Sequence, residues 1–151
     1  MRNTSRSTSE ELLLAEDSET DTELTLRALK TINLAQKVHA VKDGKEALEY
    51  VFGKEFEGER IRRRVPKVIM LDLKMPKVGG IEVLRRLKSD QRTKDIPVVV
   101  LTSSREDSDL KQCYELGVNS YIVKPFGLEE FVKAVATAGL YWMVVNQPPQ
   151  N

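Results

Sequence analysis

The chain has 151 residues, a length that suits one domain built around a single hydrophobic core. Its 24 basic and 23 acidic side chains leave a formal net charge of +1, which gives no support to a nucleic-acid or anionic-membrane partner. The single cysteine, Cys113, excludes an intramolecular disulfide and suits a reducing compartment. No apolar stretch approaches the roughly 20 residues of a membrane-spanning helix. We therefore expect a cytoplasmic protein that binds neither membranes nor nucleic acid.

Apolar runs and amphipathic segments alternate between residues 11 and 145, which we expect to form one domain. The apolar runs predict buried strands at residues 12–15, 37–41, 68–71, 98–101 and 121–123. The amphipathic segments predict helices that include residues 24–32, 45–52, 81–87, 110–116 and 128–145. The polar ends, residues 1–10 and 146–151, are predicted to be tails, and the first of them to be disordered.

The segment 53–66 is polar and strongly charged, so it is predicted to be a loop or a fraying helix end. Its arginine-rich part, within residues 60–67, is typical of a solvated loop. Contact of this loop with a partner protein stays open as an alternative.

Strands that are apolar throughout and alternate with helices predict a parallel sheet with helices on both faces. Because crossover connections between parallel strands are right-handed, the leading topology is the strand order 2-1-3-4-5. The expected fold is therefore α/β and flavodoxin-like, with five parallel strands.

Four predicted strands each end in polar residues. Glu16 and Asp17 follow the first strand and Asp72 the third, whereas Thr102 follows the fourth and Lys124 the fifth. The carboxyl ends of parallel strands share one edge of an open sheet, where ligands bind. Neighbouring carboxylates repel one another unless a cation offsets their charge, and Mg²⁺ suits a site of carboxylates, water and phosphoryl oxygen. The sequence therefore predicts a Mg²⁺ site at this edge.

The same residues can hold a phosphoryl group during its transfer. Asp72 supplies a carboxylate that can act as an in-line nucleophile and form an aspartyl phosphate. Lys124 and the metal would share the negative charge of the phosphoryl oxygens, and Thr102 would donate a hydrogen bond to one of them.

Four blocks of the sequence resemble, in the same order, the signature blocks of the receiver domains of two-component response regulators. The similarity runs from about residue 11 to residue 140. The blocks are LAED at 14–17, MLDLKMP at 70–76 with Gly79 and Gly80 after it, VLTS at 100–103 and YIVKPF at 121–126.

The resemblance implies a reaction and a metal site. Asp72 matches the phosphoacceptor of the family, which takes its phosphoryl group from the phosphohistidine of a histidine kinase. Asp17 matches the acid that binds Mg²⁺, and Glu16 matches its neighbour, which usually reaches the metal through water. The backbone carbonyl of Lys74 would complete the metal site.

The resemblance also implies a switch. Lys124 matches the lysine that binds the phosphoryl group, Thr102 the switch hydroxyl and Tyr121 the aromatic switch. The peptide bond between Lys124 and Pro125 would be cis. Phosphorylation would draw Thr102 inward, Tyr121 would follow, and the surface that partners contact would change.

Two departures from the common family pattern stand out. The acidic pair is Glu16–Asp17 instead of Asp–Asp, which keeps the charge but lengthens one side chain by a methylene. The connection 53–66 is longer than in minimal receivers, and we expect no effector domain after the receiver domain. In these respects the chain is similar to stand-alone regulators paired with phytochrome-type histidine kinases. The resemblance thus implies a signalling protein, with catalysis limited to its own phosphorylation and dephosphorylation.

Five consecutive large apolar residues occupy positions 141–145, and one helix face cannot bury all of them. An exposed apolar remnant often marks an interface. We therefore predict a homodimer through the last helix, with Tyr141, Trp142 and Val145 in the interface. The alternative is a helix end that folds back on its own domain.

Other interpretations of the same residues remain. A haloacid-dehalogenase-type phosphatase also uses an aspartate at a strand end, but it expects an acid where Lys74 stands. A receiver-like scaffold that is never phosphorylated usually lacks the acidic pocket or the lysine. A flavodoxin is disfavoured because no phosphate-binding loop follows the first strand. Taken singly, Asp17 could cap a helix and Tyr121 could be a packed aromatic residue.

Overall fold

A computed structural model describes residues 11–56, 59–61, 65–125 and 127–149 of the chain. The predicted disordered tail 1–10 and the arginines at 62–64 lie outside the described residues. The strands are β1 Leu12–Ala15, β2 Val38–Val41, β3 Lys54–Phe56, β4 Glu59–Ile61, β5 Val68–Leu71, β6 Val98–Thr102 and β7 Ser120–Val123. The helices are α1 Glu19–Lys30, α2 Gly44–Phe52, α3 Gly80–Ser89, α4 Asp107–Leu116 and α5 Leu128–Leu140.

Five strands form the main sheet, in the order β2-β1-β5-β6-β7, and every neighbouring pair is parallel. Numbered among themselves these strands have the order 2-1-3-4-5, so the predicted topology is confirmed. Residues of β1, β5 and β6 are buried along their whole length, which explains their continuous apolar sequence.

Successive residues of each strand point to opposite faces of the sheet and so feed two hydrophobic cores. Leu13, Ile69 and Val100 pack with the apolar faces of α2, α3 and α4 on one side. Leu14 and Met70 pack with α1 and α5 on the other. The sheet is therefore a rigid central layer, and its edge at the ends of the strands holds the polar residues in place.

The segment 53–66 differs from the prediction, because it contains an antiparallel hairpin of β3 and β4. Its charged composition led us to expect a loop or a fraying helix end. A two-stranded ribbon pairs through its backbone and needs no buried apolar face, so hydrophobic patterning does not reveal it.

The last helix also differs from the prediction over 128–145. Regular α-helix ends at Leu140, and a π-helical turn over Tyr141–Val145 follows. Within this turn Met143 is buried, whereas Val144 and Val145 are exposed. Among the described residues, no helix is both long enough and apolar enough to cross a membrane.

Candidate functional site

Parallel pairing of β1 with β5 brings the predicted acidic residues together. Ala15 pairs with Leu71, and the backbone N–H of Asp72 donates to the carbonyl of Ala15 at 3.0 Å. The next residues, Glu16, Asp17 and Asp72, each offer a carboxylate oxygen, and these oxygens lie within 4.8 Å of one another. The strand ends thus assemble the cluster that the sequence predicted.

The three carboxylates differ in their exposure. Glu16 and Asp72 are buried, with exposed fractions of 4% and 7%, whereas Asp17 is exposed to solvent. Asp72 Oδ1 accepts the backbone N–H of Leu73 at 2.7 Å and that of Lys74 at 3.5 Å. These two contacts hold the carboxyl plane of Asp72, and its other oxygen, Oδ2, lies on the side of Lys124.

Lys124 reaches into the cluster from the end of β7. Its Nζ lies 2.8 Å from Glu16 Oε1, 2.7 Å from Asp21 Oδ2 and 3.5 Å from Asp72 Oδ2. Burial lowers the pKa of the Lys124 ammonium, but the hydrogen bonds to Asp21 and Glu16 outweigh it and raise this pKa to about 12. Lys124 is therefore a fixed positive charge beside Asp72.

Glu16 shows the opposite balance. Burial raises the pKa of its carboxyl to about 7, and the negative charge of Asp72 adds to the rise, while the hydrogen bond from Lys124 opposes it. The pKa values of Glu16 and Lys124 are both raised because several carboxylates surround one ammonium. Lys124 stays charged, and Glu16 gains a proton at a higher pH than an ordinary glutamate does.

The cluster fits a hard divalent cation. Carboxylate oxygens are the ligands that Mg²⁺ and Mn²⁺ prefer, and such ions bind through one or two carboxylates while keeping several waters. Exposed Asp17 can receive a hydrated ion from solvent, and buried Asp72 borders the same space. A cation here would relieve the repulsion that Lys124 offsets only in part.

Thr102 and Tyr121, the predicted switch residues, both contact Ser104. Fully buried Thr102 accepts the backbone N–H of Ser104 on its Oγ1 at 3.2 Å, and the hydroxyl of Tyr121 donates to the Ser104 carbonyl at 3.3 Å. The hydroxyl of Ser104 donates to Asp109 Oδ2 at 2.6 Å, which ties this loop to the first turn of α4. Ser104 therefore connects Thr102 and Tyr121 through hydrogen bonds.

The expected cis bond between Lys124 and Pro125 is not found, since no peptide bond among the described residues is cis. The trans form of a bond before proline is intrinsically favoured by about 0.5–1 kcal/mol. Lys124 reaches Glu16 and Asp21 from the trans backbone, so its contacts do not require the cis form.

Asp21 is a member of the site that sequence reasoning missed. It lies in the first turn of α1, where its backbone N–H donates to Ser18 Oγ at 3.2 Å and its carboxylate pairs with Lys124. Ser18 is the N-cap residue of α1. A helix that starts after Ser18 would have placed Asp21, four residues after Asp17, on the side of the strand ends.

Three comparisons bear on the origin of this site. Residues 12–136 match the family model of the response regulator receiver domain. The chain is 38% identical over 138 residues to the probable methanogenesis regulatory protein FilR2 of Methanothrix harundinacea, across 91% of this chain and 86% of that protein. It is 36% identical over 132 residues to response regulator Rcp1 of Synechocystis sp., across 87% of this chain and 88% of that protein.

Solved structures agree with these matches. The fold is similar to that of the phosphorylated cyanobacterial phytochrome response regulator RcpA, with a TM-score of 0.82, 36% identity and coverage of 93% of this chain and 99% of that one. It is also similar to the Mn²⁺-bound form of Rcp1, with a TM-score of 0.81, 36% identity and coverage of 92% and 98%. The chain belongs to the response regulator receiver domain family of two-component systems.

Proposed function

We propose that Asp72 is the phosphoacceptor of this response regulator and that a histidine kinase is the donor. One observation carries the proposal: Asp72 shares its strand-end position with two further carboxylates, and its Oδ2 lies 3.5 Å from the ammonium of Lys124. A nucleophilic carboxylate beside a fixed cation is the arrangement that phosphoryl transfer needs. RcpA is described as a phytochrome response regulator, which supports a kinase of the phytochrome type.

In the transfer, the P–N bond of a phosphohistidine breaks as a P–O bond to a carboxylate oxygen of Asp72 forms. The electron pair of the broken bond returns to the imidazole nitrogen. In the later hydrolysis, a water oxygen attacks phosphorus, the P–O bond to Asp72 breaks, and inorganic phosphate leaves. Lys124 and Thr102 donate hydrogen bonds to the phosphoryl oxygens in both steps. The chain catalyses only these reactions of its own aspartyl group.

The cation of this site is proposed to be Mg²⁺. Glu16, Asp17, Asp72 and the backbone carbonyl of Lys74 would hold it, directly or through water. When bound, it would offset the negative charge of the phosphoryl oxygens. The Mn²⁺-bound form of Rcp1 supports divalent-ion binding by this chain, and the oxygen-only ligand set suits Mg²⁺.

The output is proposed to be a change in protein–protein contact on the face formed by α4, β7 and α5. A groove of about 770 Å³ lies there, and Tyr121 and Trp142 are among the residues that line it. Thr102 and Tyr121 are hydrogen-bonded to the same residue, Ser104. A shift of Thr102 towards a phosphoryl group therefore alters the face that contains Tyr121. Exposed apolar residues near its edge support a homodimer that uses Tyr141, Trp142 and Val145.

We propose a cytoplasmic location, with neither nucleic acid nor membrane among the partners. The near-neutral charge of the chain supports this, because no strong electrostatic field would draw it to polyanions.

The test is to incubate the chain with Mg²⁺ and acetyl phosphate and to follow its intact mass. Wild type is expected to gain the mass of one phosphoryl group, and Asp72→Asn is expected to gain none. Beryllofluoride with Mg²⁺ is expected to bind wild type and to leave Asp72→Asn unchanged. An adduct that forms equally in both proteins, or in neither, would refute the assignment of Asp72.

A further inference from the structure

Lys124 has three N–H donors and three neighbouring carboxylates. Two of the contacts, to Glu16 and Asp21, are short hydrogen bonds of 2.8 and 2.7 Å. The third partner, Asp72, lies at 3.5 Å. A phosphoryl group on Asp72 would need at least one of these donors, so phosphorylation requires Lys124 to weaken a contact that it already has.

The three carboxylates do not release Lys124 equally easily. Glu16 and Asp72 belong to the cluster of three oxygens within 4.8 Å, where a bound cation would take over part of the neutralising role of the lysine. Asp21 lies outside that cluster and can regain water instead, because 31% of its side chain is exposed. Among the three carboxylates, Asp21 is therefore the one whose separation from Lys124 does not depend on a cation in the cluster.

We propose that Asp21 is a built-in competitor of the phosphoryl group for Lys124 and thereby lowers the stability of the phosphorylated state. This inference rests on the proposed function of Asp72. Asp21 is a positioning residue, since it acts through Lys124 and does not touch the reacting atoms. The Asp21 carboxylate is paired with the Lys124 ammonium before phosphorylation. Afterwards it attracts this ammonium away from the phosphoryl group.

The position of Asp21 on α1 keeps its carboxylate beside Lys124. Ser18 accepts the backbone N–H of Asp21 and caps α1, so the carboxylate is held on the first turn of a helix and not on a loop. Removal of its charge leaves the anion site more positive and weakens the competing hydrogen bond to Lys124. Both effects favour an anion on Asp72.

The test uses Asp21→Asn, which keeps the size and the carbonyl oxygen of the side chain but removes its charge. Glu19→Gln is the matched control, because Glu19 is an exposed acid in the same first turn of α1. The dissociation constant of beryllofluoride is measured at saturating Mg²⁺, and the half-life of the phosphorylated protein is followed by intact mass after acetyl phosphate is removed.

Asp21→Asn is expected to bind beryllofluoride about three- to fivefold more tightly than wild type and to stay phosphorylated longer. Glu19→Gln is expected to stay within about twofold of wild type. The difference between Asp21→Asn and wild type is expected to shrink as NaCl is raised, since salt screens a partly exposed pair. A purely structural role of Asp21 would not produce this salt dependence.

Dependence on Lys124 gives the decisive comparison. In a Lys124→Gln background, Asp21→Asn is expected to have no further effect on phosphorylated lifetime. In EDTA, free energies of unfolding for the two single variants and the double variant are expected to be non-additive, which reports the pair without any bound metal.

The outcomes separate the two proposals. Unchanged or weaker beryllofluoride binding by Asp21→Asn, while wild type binds, would overturn the role of Asp21 and leave that of Asp72 intact. An equal effect of Asp21→Asn with and without Lys124 would do the same. A wild type that forms no adduct on Asp72 would overturn both.

Discussion

At the scale of single residues, burial decides how each ionisable group behaves. Glu16 and Asp17 are neighbours in sequence, yet the first is 4% exposed and the second lies in solvent. Burial raises the pKa of the Glu16 carboxyl to about 7. Its protonation near neutral pH therefore depends on its surroundings in the protein. The residue type decides which ionisable group stands at a strand end, and burial shifts the pKa of that group.

Cys113 offers a test of burial at this scale. It lies on the buried face of α4, and desolvation raises the pKa of its thiol from the ordinary value of 9.0 to about 11. A raised pKa in the folded state contributes stability that is present below pH 9 and is lost as the pH rises through 11.

Native protein at pH 8 is therefore expected to resist iodoacetamide, because the thiolate is the reactive form and only about 0.1% of the thiol is ionised. Protein unfolded in urea is expected to be alkylated at once, with the difference followed by intact mass. Rapid modification of native protein at pH 8 would contradict the buried placement.

At the scale of elements, the site depends on how closely α3 approaches the end of β5. Gly80 begins α3, and a Cβ built on it would lie 2.2 Å from the backbone carbonyl oxygen of Asp72. A Cβ on Gly79 would lie 3.7 Å from the carbonyl oxygen of Leu73, an ordinary contact. The paired glycines of the sequence therefore have different roles, and only Gly80 must lack a side chain for α3 to pack here.

Gly80→Ala is accordingly expected to lower the free energy of unfolding by about 3 kcal/mol and to reduce phosphorylation, since the backbone of Asp72 must shift to make room. Gly79→Ala is the matched control and is expected to change stability by less than about 1 kcal/mol. Urea denaturation and the acetyl phosphate assay measure the two effects. Equal losses in the two variants would argue against the close approach.

At the scale of the whole molecule, the apolar end of the chain after α5 is only partly buried. The turn after α5 buries Met143 and bonds Trp142 Nε1 to Ser120 Oγ at 3.2 Å, so part of the apolar end folds back on its own domain. Tyr141, Val144 and Val145 remain 46%, 61% and 61% exposed. The fold-back alternative therefore describes Met143 and Trp142, whereas the dimer stays a proposal that the exposed apolar residues support.

Val145→Glu is expected to convert a dimer into a monomer in sedimentation velocity experiments, because it places a charge in the proposed interface. Its free energy of unfolding is expected to stay within about 0.5 kcal/mol of that of wild type, as the position is exposed. Leu128→Glu, an exposed apolar position at the other end of α5, is the control and is expected to stay dimeric. A wild type that is monomeric with and without beryllofluoride would refute the dimer.

Hydrophobic patterning predicted the strands of the main sheet, and the handedness of their crossovers predicted the strand order. That order makes the first and third strands neighbours, so the meeting of Glu16, Asp17 and Asp72 was predicted with it. The β3–β4 hairpin was not predicted, since its pairing is made by backbone groups in a charged segment. The trans bond before Pro125 also differs from the family expectation, because sequence similarity does not fix the isomer of a single bond.

The sequence by itself determined which chemical groups stand at the strand ends and which family the chain resembles. Only the tertiary structure showed that Asp21 pairs with Lys124, a residue 103 positions away. That contact depends on how the first turn of α1 lies over the end of β7, and packing between distant elements leaves no local pattern in the chain. The exposure of Val145 is likewise decided by tertiary packing. The apolar character of this residue alone would have suggested burial.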